Sequence, residues 1–471
     1  MDSLPPNLAI GSTGTVSQRL SAFAATLRYE DIPGDVVSQA KRHILDCLGI
    51  ALASSNEAFA HRTANALAGL AEGGSFPVIG FAMHLPLRDS VMLNGTLIHG
   101  LDYDDTHGDA IVHASASAVP TALGMARRHG SSGQETILAY LLGVEASARI
   151  GAAAQGAFHQ VGFHPTGMVG AFGAALTAGR LAGASPQAMT AAQGCILSMA
   201  SGSLEFLEDG SWTKRFHPGW AGVAAITATA LGMNGFKAPP AAYEGRFGLF
   251  RSHLGGTAPP GIEDRCTEAL GSLWEMRNVA LKPYPCCHFN HAFADAMLRL
   301  RAAGLRPEQV KRITALIGAG QVKVVCEPEA AKKAPANSYD AQFSVHYAMV
   351  AALLYGRLGL EELQEPAFQN PEAQALLART GYAIDPDSRF PRYYSGEVVV
   401  ETTDGRTLRA REDFNRGSDR QPLSEADVIR KFNENAARVM SASRAQQVID
   451  LTMALDRAPG VLALTDALAR K

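Results

Sequence analysis

The feature that most constrains the fold is a run of helical periods that scarcely pauses between residues 16 and 280. In "DVVSQAKRHILDCLGIALASS" (35–55), Val36, Ala40, Ile44, Cys47 and Leu48 recur at the three- and four-residue spacing of one helix face. "ETILAYLLGVEASARIGAAA" (135–154), "GMVGAFGAALTAGRLAGAS" (167–185), "PQAMTAAQGCILSMASGS" (186–203) and "GWAGVAAITATALGMNG" (219–235) follow. Several are apolar nearly all round and rich in Ala and Gly. Such helices must be surrounded by others, and small residues let their axes approach. The pattern predicts a large all-α body over residues 1–280. No short repeat period runs through it, so a solenoid is not expected.

The texture changes near "KPYPCCHFNH" (282–291). "KRITALIGAG" (311–320) and "GEVVVETTDGRTLRARE" (396–412) carry β-branched alternation, the latter with an Asp404-Gly405 turn suited to a hairpin. Helical patterns at 291–304 and 341–356 lie between them. The expectation is a smaller α+β domain, residues 281–412, inserted into the helical body, which resumes over 413–471 with "PLSEADVIRKFNENAARV" (422–439).

Composition excludes some partners. The formal net charge of the 471-residue chain is -3, so no global electrostatic footprint points to nucleic acid or an anionic membrane. An anion site must therefore be local. Six cysteines include no CxxC pair, and Cys286 and Cys287 are adjacent, which favours a reduced setting. A cytoplasmic location is expected, or a mitochondrial one in a eukaryote, although no clear transit peptide is seen. The opening "MDSLPPNLAIGSTGTVSQ" does not have the pattern of a secretory signal. Residues 1–15 read as a loose tail. Gly, His and charges interrupt the apolar stretches before the roughly 18 residues that a membrane span needs.

The densest polar stretch is "HGLDYDDTHGDAIVHASAS" (99–117), with Asp102, Asp104, Asp105, Thr106, His107, Asp109 and His113 within twelve residues. It lacks the glycine and final glutamate of an EF-hand calcium loop. A transition-metal site, an acid/base cluster facing a cavity, and a solvated Asp-rich cap all stay open. HxxxH and HExxH spacings are absent, so no metal is expected.

"FHP" occurs twice, in "GFHPTG" (162–167) and "RFHPGW" (215–220). A residue before proline is pushed out of the α region, and proline favours a first helical turn. His164 and His217 are therefore expected just outside helix N-termini, where backbone N–H groups attract anions. Lys214 and Arg215 stand beside the second of these ends, a placement that the helix dipole opposes unless an anion is shared. "KPYPCCHFNHAFADA" (282–296) has the same character, with Lys282, His288 and His291 ahead of a helix. Together these segments suggest a pocket for a polyanion. Nothing in the sequence supplies a dedicated base for the cysteine pair, so it is not read as a nucleophile.

These segments are similar to motifs of the MmgE/PrpD family: "LDYDDTH" (101–107) with His113, "FHPT" (163–166), "TKRFHPGWA" (213–221), "KPYPCCHFNHAFADA" (282–296), "AQFSVHY" (341–347) and "RGSDRQPLSEADVIRKF" (416–432). The resemblance implies a discontinuous α-helical domain, an inserted α+β domain, an active site between them, a homodimer and no required cofactor. It also implies activity on a small di- or tricarboxylate: 2-methylcitrate dehydration, cis-aconitate decarboxylation, or epimerisation of iminodisuccinate. Matching motif to motif places a decarboxylase-like site on Asp102, Thr106, His113, His164, Lys214, His291 and Tyr347. The chain departs from many relatives in reading "VHASAS" where they have His-Pro-Ser. Methylcitrate dehydratases usually carry Asn and Trp where this loop has Asp104 or Asp105 and His107.

The expected chemistry is a cofactor-independent lyase that moves a proton next to a carboxylate. Negative charge grows on a substrate that is already anionic, so cations must be placed in advance. Lys214, Arg215 and Lys282 are expected to hold carboxylates, with Thr106 bonding substrate. His113 and His164 are the candidate bases, and Asp102 orients an imidazole. Tyr347 or His291 returns the proton. A two-base epimerase is the nearest alternative, and a non-catalytic carboxylate-binding protein a more distant one.

Overall fold

The computed structural model describes residues 13–470. Numbered along the chain, the longer helices of the first unit are α1 (Val16–Thr26), α2 (Gly34–Ser54), α3 (Ala58–Leu70), α4 (Leu87–His99), α5 (Ser115–His129), α6 (Gly133–Ala153), α7 (Pro165–Leu181), α8 (Pro186–Ile196) and α9 (Thr213–Met233). A second unit, Ala280–Leu423, carries α10 (His291–Ala302) and α11 (Val345–Tyr355). The chain rejoins the first unit from Ser424, through α12 (Glu425–Ala436) and α13 (Ala442–Met453).

The boundary expected at residue 412 falls eleven residues later, because 413–423 stay tied to the second unit. The Leu281 N–H donates to the Gly417 carbonyl at 3.2 Å, and Asn415 Nδ2 contacts His288 Nε2 at 2.8 Å. Most of the expected N-terminal tail lies outside the described residues. Thr15 is not slack: its side chain caps α1 in a capping box with Gln18, and its hydroxyl donates to the Pro240 carbonyl at 2.8 Å.

Small residues set the spacing in the helical unit. A Cβ on Gly173 of α7 would stand 2.3 Å from the Gly143 carbonyl oxygen of α6, so only glycine permits that approach. Between α4 and α9 the same holds: a Cβ on Gly219 would lie 2.1 Å from the Met92 carbonyl oxygen, and one on Gly95 would lie 2.7 Å from Gly219 Cα. This contact falls late in α4 and early in α9. It brings the segment following α4 to the first turns of α9.

Two local expectations need correction. α9 begins at Thr213, with Pro218 inside it, whereas the proline suggested a start at 218. Packing of α9 against α4, α7 and α8 outweighs the local preference. α6 is long and apolar enough to cross a bilayer, contrary to the expectation from its interruptions. Ninety-four per cent of its apolar window is buried within the protein, as in a core helix. Its charged residues are satisfied internally: Arg149 bonds Glu145 at 3.2 Å and donates to the Glu268 and Leu273 carbonyls.

The second unit has one four-stranded sheet, from β1 (Val310–Ile317), β2 (Thr380–Ile384), β3 (Gly396–Thr402) and β4 (Thr407–Glu412), in the order β2-β1-β3-β4. β1 runs parallel to β2 and antiparallel to β3, and β3 and β4 form the hairpin expected around Asp404-Gly405. Gly405 has φ +86°, the conformation that its turn requires. α10 packs on this sheet, with Phe293 against Gly396, and α11 packs on α10. No disulfide links the six cysteines, all of which are buried.

Candidate active site

The site in the helical unit is assembled where three helices begin or end. α4 stops at His99, and the chain then turns through Asp102, which adopts a left-handed φ of 52°. Aspartate tolerates this conformation better than most residues, and such strain concentrates at functional sites. The Asp102 carboxylate accepts a bond from Lys214 Nζ at 2.5 Å, with side-chain exposures of only 7% and 9%. Lys214 is the second residue of α9, where the dipole repels a cation. Asp102 offsets that repulsion. The carboxylate expected to resolve the conflict therefore belongs to the chain itself.

Four imidazoles gather beside this pair. His99 Nδ1 donates to Asp104 at 2.7 Å. His113 Nδ1 lies 2.7 Å from the Asp105 carbonyl, 3.4 Å from the Thr106 hydroxyl and 3.7 Å from the Asp104 carboxylate. His164 occupies the N-cap of α7, as its proline predicts, and its Nδ1 meets Nδ1 of His217 at 3.0 Å. The rings of His99 and His164 stack at 5.5 Å, and those of His99 and His113 approach to 4.8 Å. Burial, then the neighbouring His99, His217, Lys214 and His113, hold His164 well below the usual imidazole range. Burial, His99 and Lys214 lower His217 to about 4. Both are thus neutral near pH 7, and in their mutual bond one nitrogen donates and the other accepts.

The polar loop is held from below rather than solvated: Asp104 and Asp105 have no exposed surface. Asp105 accepts from His43 of α2 at 2.7 Å and from the Ser115 hydroxyl, and Tyr140 reaches that hydroxyl at 2.7 Å. Burial alone would raise the Asp105 pKa, but the bonds from His43 and Ser115 hold it below the ordinary value. His107 bonds Glu275 at 3.0 Å and keeps that carboxylate, despite its burial, at about 2. Lys431 of α12 pairs with Asp46 of α2 at 2.7 Å and donates to the Tyr103 carbonyl at 3.0 Å. The reading as an exposed Asp-rich cap is excluded.

Of the expected residues, Asp102, Thr106, His113, His164 and Lys214 come together in this unit. Arg215 does not join them. One step along the helix from Lys214, it lies over the rings of Phe59 at 4.4 Å and Trp212 at 5.7 Å. Lys282, His291 and Tyr347 belong to the second unit, and all three are buried there. His291 Nε2 contacts the Cys286 carbonyl at 3.3 Å, and its ring packs on His288 and Tyr284. The Tyr347 hydroxyl donates to the Glu362 carbonyl, and its ring meets Phe368 within that unit's apolar core. Its proton is committed to a backbone acceptor.

Sequence reasoning singled out Asp104, Asp105 and His217 without giving them a role in the site, and it missed His99 as a member of the cluster and His43, Asp46 and Lys431 as its supports. One signal was available for α2: His43 and Asp46 interrupt its otherwise apolar face. The donor atoms of His99, Asp104 and His113 lie within 4.8 Å of one another, a group of a kind that can hold a cation. Both Nδ1 atoms, however, already bond the Asp104 carboxylate and the Asp105 carbonyl.

Residues 18–261, more than half of the chain, match the MmgE/PrpD N-terminal domain, and residues 284–457 match the C-terminal domain. A cis-aconitate decarboxylase from Aspergillus terreus is 26% identical over 475 residues, covering 96% of each chain. The cis-aconitate decarboxylase of Homo sapiens is 28% identical over 458 residues, covering 94% of this chain and 92% of the human one. That of Mus musculus is 25% identical, covering 94% and 91%. With both domain models matched in order along nearly its whole length, the chain belongs to the MmgE/PrpD family.

Proposed function

We propose that this chain, an enzyme of the lyase type, decarboxylates cis-aconitate or a close tricarboxylate. What supports the reading is the buried Asp102–Lys214 pair and the imidazoles His113, His164 and His217, in a chain similar over nearly its whole length to cis-aconitate decarboxylases. A polycarboxylate needs fixed positive charge and N–H donors where it binds, and a group that exchanges a proton where it reacts. Lys214 supplies the charge, shared between Asp102 and substrate. The neutral imidazoles supply donors without adding cations to a crowded site.

In the reaction, the bond between the CH2 carbon and its carboxylate breaks, and CO2 leaves. The released electron pair forms a new C=C bond at that carbon, and the old double bond takes a proton at the former vinyl carbon. His113 is assigned that proton transfer, its ring anchored by Nδ1 2.7 Å from the Asp105 carbonyl. His164 and His217 are held neutral and are poor proton stores. Tyr347 is assigned no proton transfer.

The test is turnover of cis-aconitate in D2O, followed by NMR and CO2 release. One deuterium should appear at the methylene derived from the vinyl carbon, with one CO2 per product. Citrate or 2-methylcitrate losing water, with no CO2 from cis-aconitate, would move the assignment to a hydro-lyase. Deuterium exchange at an α-carbon of a dicarboxylate with neither loss would move it to an epimerase.

A further inference from the structure

We infer that His43 and Ser115, acting through Asp105, are positioning residues that fix His113 as its Nδ1–H tautomer, leaving Nε2 as the nitrogen that gains and loses the proton. This rests on the reading of His113 as the group that transfers the proton.

The argument begins with what a carbonyl can do. The atom nearest His113 Nδ1 is the Asp105 carbonyl oxygen, at 2.7 Å. A carbonyl has no proton to give, so the bond requires hydrogen on Nδ1. The Thr106 hydroxyl and the Asp104 carboxylate are farther away, at 3.4 and 3.7 Å, and the carboxylate also only accepts. With Nδ1–H fixed, the neutral ring carries its lone pair on Nε2.

The position of that carbonyl is set from the other side of the same residue. The Asp105 carboxylate receives His43 Nδ1–H at 2.7 Å, the Ser115 backbone N–H at 3.3 Å and the Ser115 hydroxyl. Ser115 gives its proton to Asp105, so the Tyr140 phenol must be the donor in its 2.7 Å contact with Ser115. α5 has no side-chain cap at Ala114, and Asp105 supplies a carboxylate to its first N–H instead. His113 is tied at its own backbone, where its N–H donates to Thr166 of α7 at 3.1 Å. Asp105 thus resembles the buried carboxylate of a catalytic triad in effect but not in contact: its side chain is spent on α2 and α5, and its backbone orients the imidazole.

The experiment uses the full-length protein with ring-15N histidine at about pH 8, where an unperturbed imidazole is neutral. His113 signals are assigned by difference from His113→Asn. The wild type should show a protonated Nδ1 and a lone pair on Nε2. In His43→Leu, the His113 ring should become a mixture of tautomers. Its kcat on cis-aconitate should fall roughly 10–100-fold, the range for removal of an orienting partner, with KM little changed. His43→Gln, which keeps one N–H toward Asp105, should restore most of the rate. Ser115→Ala should shift the ring signals in the same direction and serves if His43→Leu fails to fold. A lone pair on Nδ1 in the wild type would overturn the inference. So would a His43→Leu enzyme that loses rate while the His113 nitrogens stay as they were. The spectra need no substrate: a wild type with Nδ1–H at His113 that does not turn over cis-aconitate overturns the substrate reading alone.

Discussion

Phe-His-Pro occurs twice in this protein and folds in two ways. At residues 163–165 the histidine is extended, with φ −81° and ψ 107°, and Pro165 opens α7. At residues 216–218 the same three residues lie inside α9, three residues past its start at Thr213. The first arrangement is the one that local stereochemistry favours. The second deprives the Lys214 carbonyl of its N–H partner, because Pro218 has none. What outweighs that loss is long-range: Gly219 against Met92 and Gly95, and Lys214 against Asp102. A helix that began at Pro218 would leave Lys214 outside its first turn. The two histidines then meet, Nδ1 to Nδ1, at 3.0 Å. Identical local sequence thus gives different backbones that converge on one site.

The ion pair is where this contrast can be broken most severely. Asp102→Asn or Lys214→Ala removes one partner of a buried pair and should cost about 3–5 kcal/mol of stability, measured by denaturant unfolding. Asp102→Asn combined with Lys214→Met should recover much of that stability but not turnover. A Lys214→Ala protein as stable as wild type would show that the start of α9 does not depend on the pair.

Acid should act next. His217 titrates near 4 when folded and near 6.5 when unfolded, so the unfolded chain binds the extra proton between those values. Its contribution is complete above about pH 6.5 and is lost as pH falls toward 4, on the order of 3 kcal/mol in all. His164, lowered for the same reason, acts in the same direction. His217→Asn should flatten the stability profile between pH 6.5 and 4. An unchanged slope would mean that the buried imidazole pair is not what titrates.

The prolines sharpen the comparison on a smaller scale. Pro165→Ala should destabilise by up to about 1 kcal/mol, because proline suits a first helical position. Pro218→Ala should stabilise by roughly 1 kcal/mol: restoring the bond to the Lys214 carbonyl outweighs the small cavity left in the packed helix. Melting temperatures that move in the same direction would contradict the assigned difference in backbone.

The smallest expected effect is none. Turnover should survive exhaustive chelation, because the assigned reaction draws its positive charge from Lys214 and its proton from His113. Loss of activity restored by one divalent metal would place that metal in the imidazole cluster.

Much of the helical unit was legible because its cues are local. Ser132, Ser185 and Ser424 cap α6, α8 and α12, each accepting from a backbone N–H three residues on, and Pro165 marks α7. The Asp404-Gly405 hairpin was legible for the same reason. β2 was missed, since five residues with little alternation give no periodic signal. Among site residues, the loop from Asp102 to His113 stood out by its density of ionisable groups. His43, Asp46 and Lys431 did not, because a single charged residue in an amphipathic helix looks the same whether it faces water or another buried charge.

The sequence by itself determined which segments are helices, that many of them are buried on all sides, and which stretches carry the ionisable groups. Those properties follow from residue volume, polarity and stereochemistry over a few neighbours. Only the tertiary structure decided that α9 starts before its proline and that Asp102 answers Lys214 across 112 residues. It also decided that Arg215 leaves the cluster for Phe59 and that Asp105, held from α2, sets its carbonyl 2.7 Å from His113 Nδ1. Each depends on a glycine-sized gap or a buried partner far along the chain. In a buried site the energy of such a contact exceeds the roughly 1 kcal/mol preferences that local sequence expresses.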